Sequence, residues 1–133
     1  MEPGDIYVAV DGSGGRRPFV VVSRADLNRG EYFLAVPFTS ARLEVRRTLP
    51  NCVYFPGGAF VGLPRDCVAQ AEALTQLRKM DLVPPGEPLG TIGAAAMARL
   101  ITAIGHVLNS DCHPTPTPPF TAPPTPVQDV PPG

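Results

Sequence analysis

The sequence predicts a mainly β domain, a twisted antiparallel sheet or small barrel of short strands, closed late in the chain by one α-helix. Short runs rich in Val, Phe and Tyr alternate with Gly and Pro turn signals over residues 5–71, the pattern of strands joined by tight reversals. One stretch near residue 100 is apolar at three- and four-residue intervals, the period of a helix. Nine of the 18 prolines fall in the last 24 residues, so the folded part must end before them. The 133 residues thus divide into one domain over 1–109 and a Pro/Thr-rich tail over 110–133. Few bulky apolar groups lie in the tail (Phe120, Val127, Val130), so it is expected to be extended or disordered.

Asp5–Val10 (DIYVAV) is the first strand, and the three glycines of Asp-Gly-Ser-Gly-Gly permit the reversal after it. Phe19–Ser23 (FVVVS) is too short for a helix and strongly β-branched, which predicts a strand buried on both faces. Tyr32–Phe38 (YFLAVPF) is the third; its Pro37 lacks an N–H and is acceptable only near a strand end, an edge or a bulge. Val53–Phe55 is a short fourth strand ended by Pro-Gly-Gly, and Cys67–Ala71 is the fifth, after a Leu-Pro-Arg-Asp turn. Leu74, Leu77 and Leu82 predict one or two helical turns within 72–82, stopped by Pro84-Pro85-Gly86. The strongest helix runs from Gly93 or Ala94 to Leu108. Its apolar side (Met97, Leu100, Ile101, Ile104, Val107, Leu108) is wider than one sheet face requires, so a partner interface is the alternative to tight packing.

Eleven basic and twelve acidic side chains give a net charge of -1, which excludes a global basic field. The charge is nevertheless segregated: residues 16–65 hold eight Arg against only Asp26, Glu31 and Glu44. Three cysteines (Cys52, Cys67, Cys112) without a C-x-x-C pair, and two histidines (His106, His113), make a zinc site unexpected. The N-terminus lacks the basic and apolar regions of a secretory signal, and Arg99 interrupts the longest apolar stretch. A soluble cytoplasmic protein is therefore expected.

No nucleophile elbow, zinc-protease helix, Walker loop or dinucleotide fingerprint occurs. The glycines at 12–15 lead into a strand, so they lack the helix N-terminus on which phosphate loops rely. What stands out is Arg16-Arg17-Pro18. Pro18 fixes φ at a strand entrance and biases Arg17 toward extended backbone, which holds a planar guanidinium at the rim of the sheet, a placement suited to phosphate. Thr39-Ser40 end the third strand, where a hydroxyl can bond a ligand above the sheet. Taken alone, each pair is also an ordinary solvated turn.

G-D-I-Y (Gly4–Tyr7), R-R-P-F-V-V-V-S (Arg16–Ser23), V-P-F-T-S (Val36–Ser40), L-P-R-D-C-V-A (Leu63–Ala69) and A-M-A-R-L-I-T-A-I-G-H-V-L (Ala96–Leu108) resemble, in order and spacing, the MazF/PemK family of toxin endoribonucleases. The resemblance implies an SH3-like barrel core with a C-terminal helix, a homodimer, and the toxin component of a type II toxin-antitoxin system with a cognate antitoxin as partner. It also implies sequence-selective cleavage of single-stranded RNA with no metal or other cofactor. In that chemistry the ribose 2'-hydroxyl attacks the adjacent phosphate and leaves a cyclic phosphate and a 5'-hydroxyl, so the nucleophile belongs to the substrate.

By the same resemblance Arg17 and Thr39 are the catalytic candidates, Arg17 to stabilise charge on the phosphate and Thr39 to hold a phosphate oxygen or the 2'-hydroxyl. Arg16, Ser40, Arg42, Arg46, Arg47, Asn51 and Gln76 are the RNA-binding candidates. The first loop, Asp11–Gly15, is shorter than in many members, and Thr75-Gln76 stand where many carry an R-T-x-D-like element. The alternatives are a CcdB-like toxin that binds DNA gyrase through its C-terminal helices, or a catalytically silent binding relative. A gyrase binder has no need of a phosphate-facing Arg and hydroxyl.

Overall fold

In the computed structural model, which describes residues 1–58 and 63–108, seven strands form one curled antiparallel sheet with a helix packed on one face. The strands are β1 (Asp5–Val10), β2 (Arg16–Val21), β3 (Tyr32–Thr39), β4 (Cys52–Phe55), β5 (Cys67–Gln70), β6 (Thr75–Arg78) and β7 (Gly90–Thr91). The helices are a single turn, α1 (Leu43–Arg46), and the long α2 (Ala94–Val107). The sheet order is β4-β5-β3-β2-β1-β7, and β6 pairs with the first half of β3 on the edge that β5 takes at its end. The expected tail, 110–133, lies outside the described residues.

The β-branched runs are buried on both sides, as their continuous apolarity predicts. Ile6, Val20, Val36 and Phe38 face α2 and pack with Phe55, Leu63 and Leu100. Tyr7, Ala9, Phe19, Val21, Phe33 and Ala35 face the other way, onto Leu77 and Leu82. Phe38 and Phe55 meet edge to face at 5.5 Å and 78°. From α2 only Ala96, Leu100 and Ala103 are buried, while Ile101, Val107 and the C-cap Leu108 stay exposed, so this part of the chain is apolar beyond what the sheet covers.

The helix expected within 72–82 is instead β6 flanked by two 3-10 turns, Ala71–Ala73 and Lys79–Asp81. The three leucines that suggested one helical face are divided between two cores: Leu74 packs against the first, Leu77 and Leu82 belong to the second. The edge of β3 from Tyr32 to Ala35 needed a partner for its backbone, and Thr75–Arg78 supplies it. The second strand likewise starts earlier than expected, at Arg16, because Val10 and Ala9 pair with Arg16 and Arg17.

Pro37 sits at a break in the ladder. Ala35 pairs with Thr75 and Phe38 with Ala69, so three steps along β3 match six along its neighbour, and the surplus forms the 3-10 turn at 71–73. The residue without an N–H is thus opposite the looped-out segment on that edge, while on its other side it faces Phe19 of β2. No helix among the described residues is long and apolar enough to cross a membrane.

Candidate functional site

Arg17 lies near the start of β2 opposite Ala9, and Pro18, opposite Val8, keeps the strand entrance extended. The preceding loop is tied by one carboxylate. Asp11 Oδ1 accepts from the Ser13 N–H (2.9 Å), the Ser13 hydroxyl (2.6 Å) and the Gly15 N–H (3.0 Å). Its Oδ2 lies 3.7 Å from Nε of Arg17. The Ser13 hydroxyl first, then the Ser13 N–H, hold the Asp11 carboxyl below the usual carboxylate range, so it faces Arg17 as an anion. With Nε turned to Asp11, the outer edge of the half-exposed guanidinium is left for a ligand.

Thr39 reaches the same place as the last residue of β3, paired with Val68 of β5. Its Oγ1 accepts the Ala41 N–H at 3.2 Å, which leaves the hydroxyl proton available to a ligand. Arg16, Arg17, Thr39 and Ser40 line one cleft of about 340 Å³. Its floor holds the buried Phe38 and Cys67, and Pro64 and Arg65, from the segment before β5, line it as well. Burial, helped by the charge of Asp66, pushes the Cys67 thiol up to about 11, so it is a neutral, inert side chain rather than a nucleophile.

The segment that carries Arg65 is pinned through its neighbour. Asp66 Oδ1 accepts the Gly57 N–H at 2.7 Å, and the Tyr54 hydroxyl also bonds this carboxylate. The Gly57 N–H first, then the Tyr54 hydroxyl, hold the Asp66 carboxyl low. Arg47 stacks over the Tyr54 ring at 4.2 Å. Gly57 itself is indispensable to the approach, because a Cβ there would lie 2.8 Å from the Pro64 carbonyl oxygen and 2.9 Å from the Arg65 carbonyl carbon.

The structure therefore brings four of the sequence candidates together and distributes the others. Gln76 lines a second cleft of about 530 Å³ with Arg17, Asp11, Thr75 and Asp81. Arg42, Arg46, Arg47 and Asn51 do not line the cleft of Arg17 and Thr39. Arg42 turns the chain after β3 with a left-handed φ of 52°, and Arg46 Nη1 donates to the Ala41 carbonyl at 3.0 Å. Asn51 Nδ2 donates to Glu72 Oε1 at 2.7 Å. Arg65 is the cleft cation that sequence reasoning does not single out. Its signal is a second Arg beside a proline in the basic segment, inside the L-P-R-D-C-V-A motif.

The curled antiparallel sheet with its C-terminal helix is an architecture shared with solved structures of small toxins. A mycobacterial endoribonuclease solved with its cognate antitoxin is 27% identical, with a TM-score of 0.64 over 81% of this chain and 94% of that one. A MazE-MazF structure from Deinococcus radiodurans is 26% identical, with a TM-score of 0.62 over 82% of this chain and 95% of that one. The Mycobacterium tuberculosis toxin MazF-mt6, at 22% identity, shares the fold with a TM-score of 0.65, over 79% of this chain and 96% of that one. No curated protein matches the chain. Residues 2–108 match the family model of PemK-like, MazF-like toxins of type II toxin-antitoxin systems, and the chain belongs to that family.

Proposed function

We propose that this toxin is a metal-independent endoribonuclease that cuts single-stranded RNA at selected sequences, with Arg17 and Thr39 as its catalytic residues. The observation that carries the reading is that a guanidinium and a hydroxyl share one cationic cleft at the sheet's rim. In the step itself the ribose 2'-oxygen forms a bond to phosphorus and the bond from phosphorus to the 5'-oxygen breaks. The 2'-hydroxyl proton leaves to water and the departing 5'-oxygen takes one from water, which yields a cyclic phosphate and a 5'-hydroxyl.

The protein's task is alignment and charge. Arg17 donates to the non-bridging oxygens, where negative charge grows as phosphorus becomes five-coordinate, and Thr39 orients an oxygen of the same group. A guanidinium with a pKa above ~12 is a poor proton carrier, so electrostatic stabilisation is its role. Arg16 and Ser40 bind the strand within the same cleft, and Gln76 binds it on the far side of Arg17. Arg42, Arg46, Arg47 and Asn51 complete the proposed RNA surface around the turn after β3. A cognate antitoxin is the protein partner, supported by the antitoxin-bound mycobacterial relative. Its acidic segment would cover the same cations. A homodimer formed through the exposed side of α2 completes the assembly.

The test is to incubate the purified chain with mixed single-stranded RNA in EDTA and map the new 5'-hydroxyl ends, with Arg17→Ala in parallel. Cuts at a short recurring sequence, absent with the variant, are expected. Folded wild-type protein that leaves RNA intact would turn the reading toward a gyrase-binding or silent relative.

A further inference from the structure

Arg65 carries an inference of its own. It lines the Arg17–Thr39 cleft, is exposed, and belongs to a different segment from every other cation there. Of the three guanidiniums in this cleft only Arg17 has a carboxylate within ion-pair distance among the described residues, namely Asp11. Arg16 and Arg65 are left as uncompensated like charges around one space of about 340 Å³. Such an arrangement repels itself when empty and is relieved by an anion. Nor is Arg65 placed by a loose loop: the Gly57 N–H and the Tyr54 hydroxyl hold Asp66 beside it, and the close contact of Gly57 with Pro64 fixes the other flank.

We propose that Arg65 is a substrate-binding residue that holds a backbone phosphate of the strand next to the one Arg17 stabilises. This rests on the reading of the cleft as a site for single-stranded RNA. Two guanidiniums from separate segments would then grip successive phosphates and stretch the linkage between them across Thr39, a division of labour in which Arg65 acts on binding more than on the chemical step.

The experiment measures binding of a mixed-sequence single-stranded DNA of about 12 nucleotides, which lacks the 2'-hydroxyl and cannot be cut. Affinity is followed by fluorescence anisotropy between about 50 and about 400 mM NaCl, with melting curves to confirm folding. Arg65→Gln should lower the slope of log affinity against log salt by about 0.7 and weaken binding about fivefold at ~100 mM salt. Arg65→Lys should keep the slope, and Arg29→Gln, in the 3-10 turn Leu27–Arg29 between β2 and β3 and outside the cleft, should behave as wild type. An Arg65→Gln variant with the wild-type slope and affinity, or wild-type protein that binds no strand at all, would overturn the proposal. RNA cleavage assayed in parallel separates the two claims. Unchanged binding in the variant beside active wild type removes Arg65 and leaves the nuclease standing. A lost slope beside inactive wild type keeps the phosphate grip and removes the nuclease.

Discussion

Arg17 is held from one side and open on the other. Its Nε faces Asp11 at 3.7 Å, so the guanidinium is oriented by a loop whose own shape depends on the same carboxylate. Arg17→Ala should lower RNA cleavage about 10² to 10³-fold, the usual loss for one aimed donor at a developing anion, while the melting temperature stays near wild type. Cys67 makes a prediction of a different kind. Its thiol rises from 9.0 to about 11 on folding, so the folded state holds that proton more tightly. The resulting stability is fully present below pH ~9 and is lost as the pH rises toward ~11, at about 1.4 kcal/mol per pH unit. Urea midpoints at pH 8 and pH 10 should therefore differ less in Cys67→Ala than in wild type; equal differences would show that another group governs the alkaline limb. Arg17 and Thr39 were legible as residues because each sits in a short motif at a strand boundary. Arg65 was not, because only the β3–β5 pairing brings the segment before β5 to the rim where β2 begins.

At the level of elements, the long helical repeat read correctly and the short one within 72–82 did not. The period of Met97, Leu100, Ile104 and their neighbours runs over four turns, which no strand can imitate, and α2 lies where that period puts it. Leu74, Leu77 and Leu82 repeat too briefly to decide between a helix and an edge strand. The unpaired edge of β3 decided it, and that edge is visible only once the sheet is assembled. β7 has two residues and exists solely through its pairing with Asp5 and Ile6. The hairpin segment before β5 offers the sharpest test at this scale. Gly57→Ala should destabilise the fold by about 1–3 kcal/mol, since the new methyl meets backbone rather than a flexible side chain. Chemical denaturation measures this directly, and a neutral result would mean that residues 57 and 64 do not approach as described.

For the molecule as a whole, a net charge of -1 conceals a cationic rim. Ile101 on α2 and Leu108 at its C-cap, 52% and 59% accessible, leave an apolar strip that the chain's own sheet does not cover. In the proposed homodimer this strip is the contact. Sedimentation of the double variant Ile101→Asp, Leu108→Asp should then give monomers where wild type gives dimers, with the strands intact by circular dichroism. Dimers that survive both charges would place the contact elsewhere.

Strand-forming runs, the late helix and the two motifs at the strand ends all follow from local composition and period, because a residue's intrinsic backbone preference and its apolar spacing act within a few positions of itself. The division of leucines between two cores, the looped-out turn opposite Pro37, and the meeting of Arg16, Arg17, Thr39 and Arg65 around one cleft depend on which strand edges were left unpaired and which segments then came to lie side by side. Those are long-range choices, made by backbone hydrogen bonding and burial in the assembled sheet, and no local stretch of the chain encodes them alone.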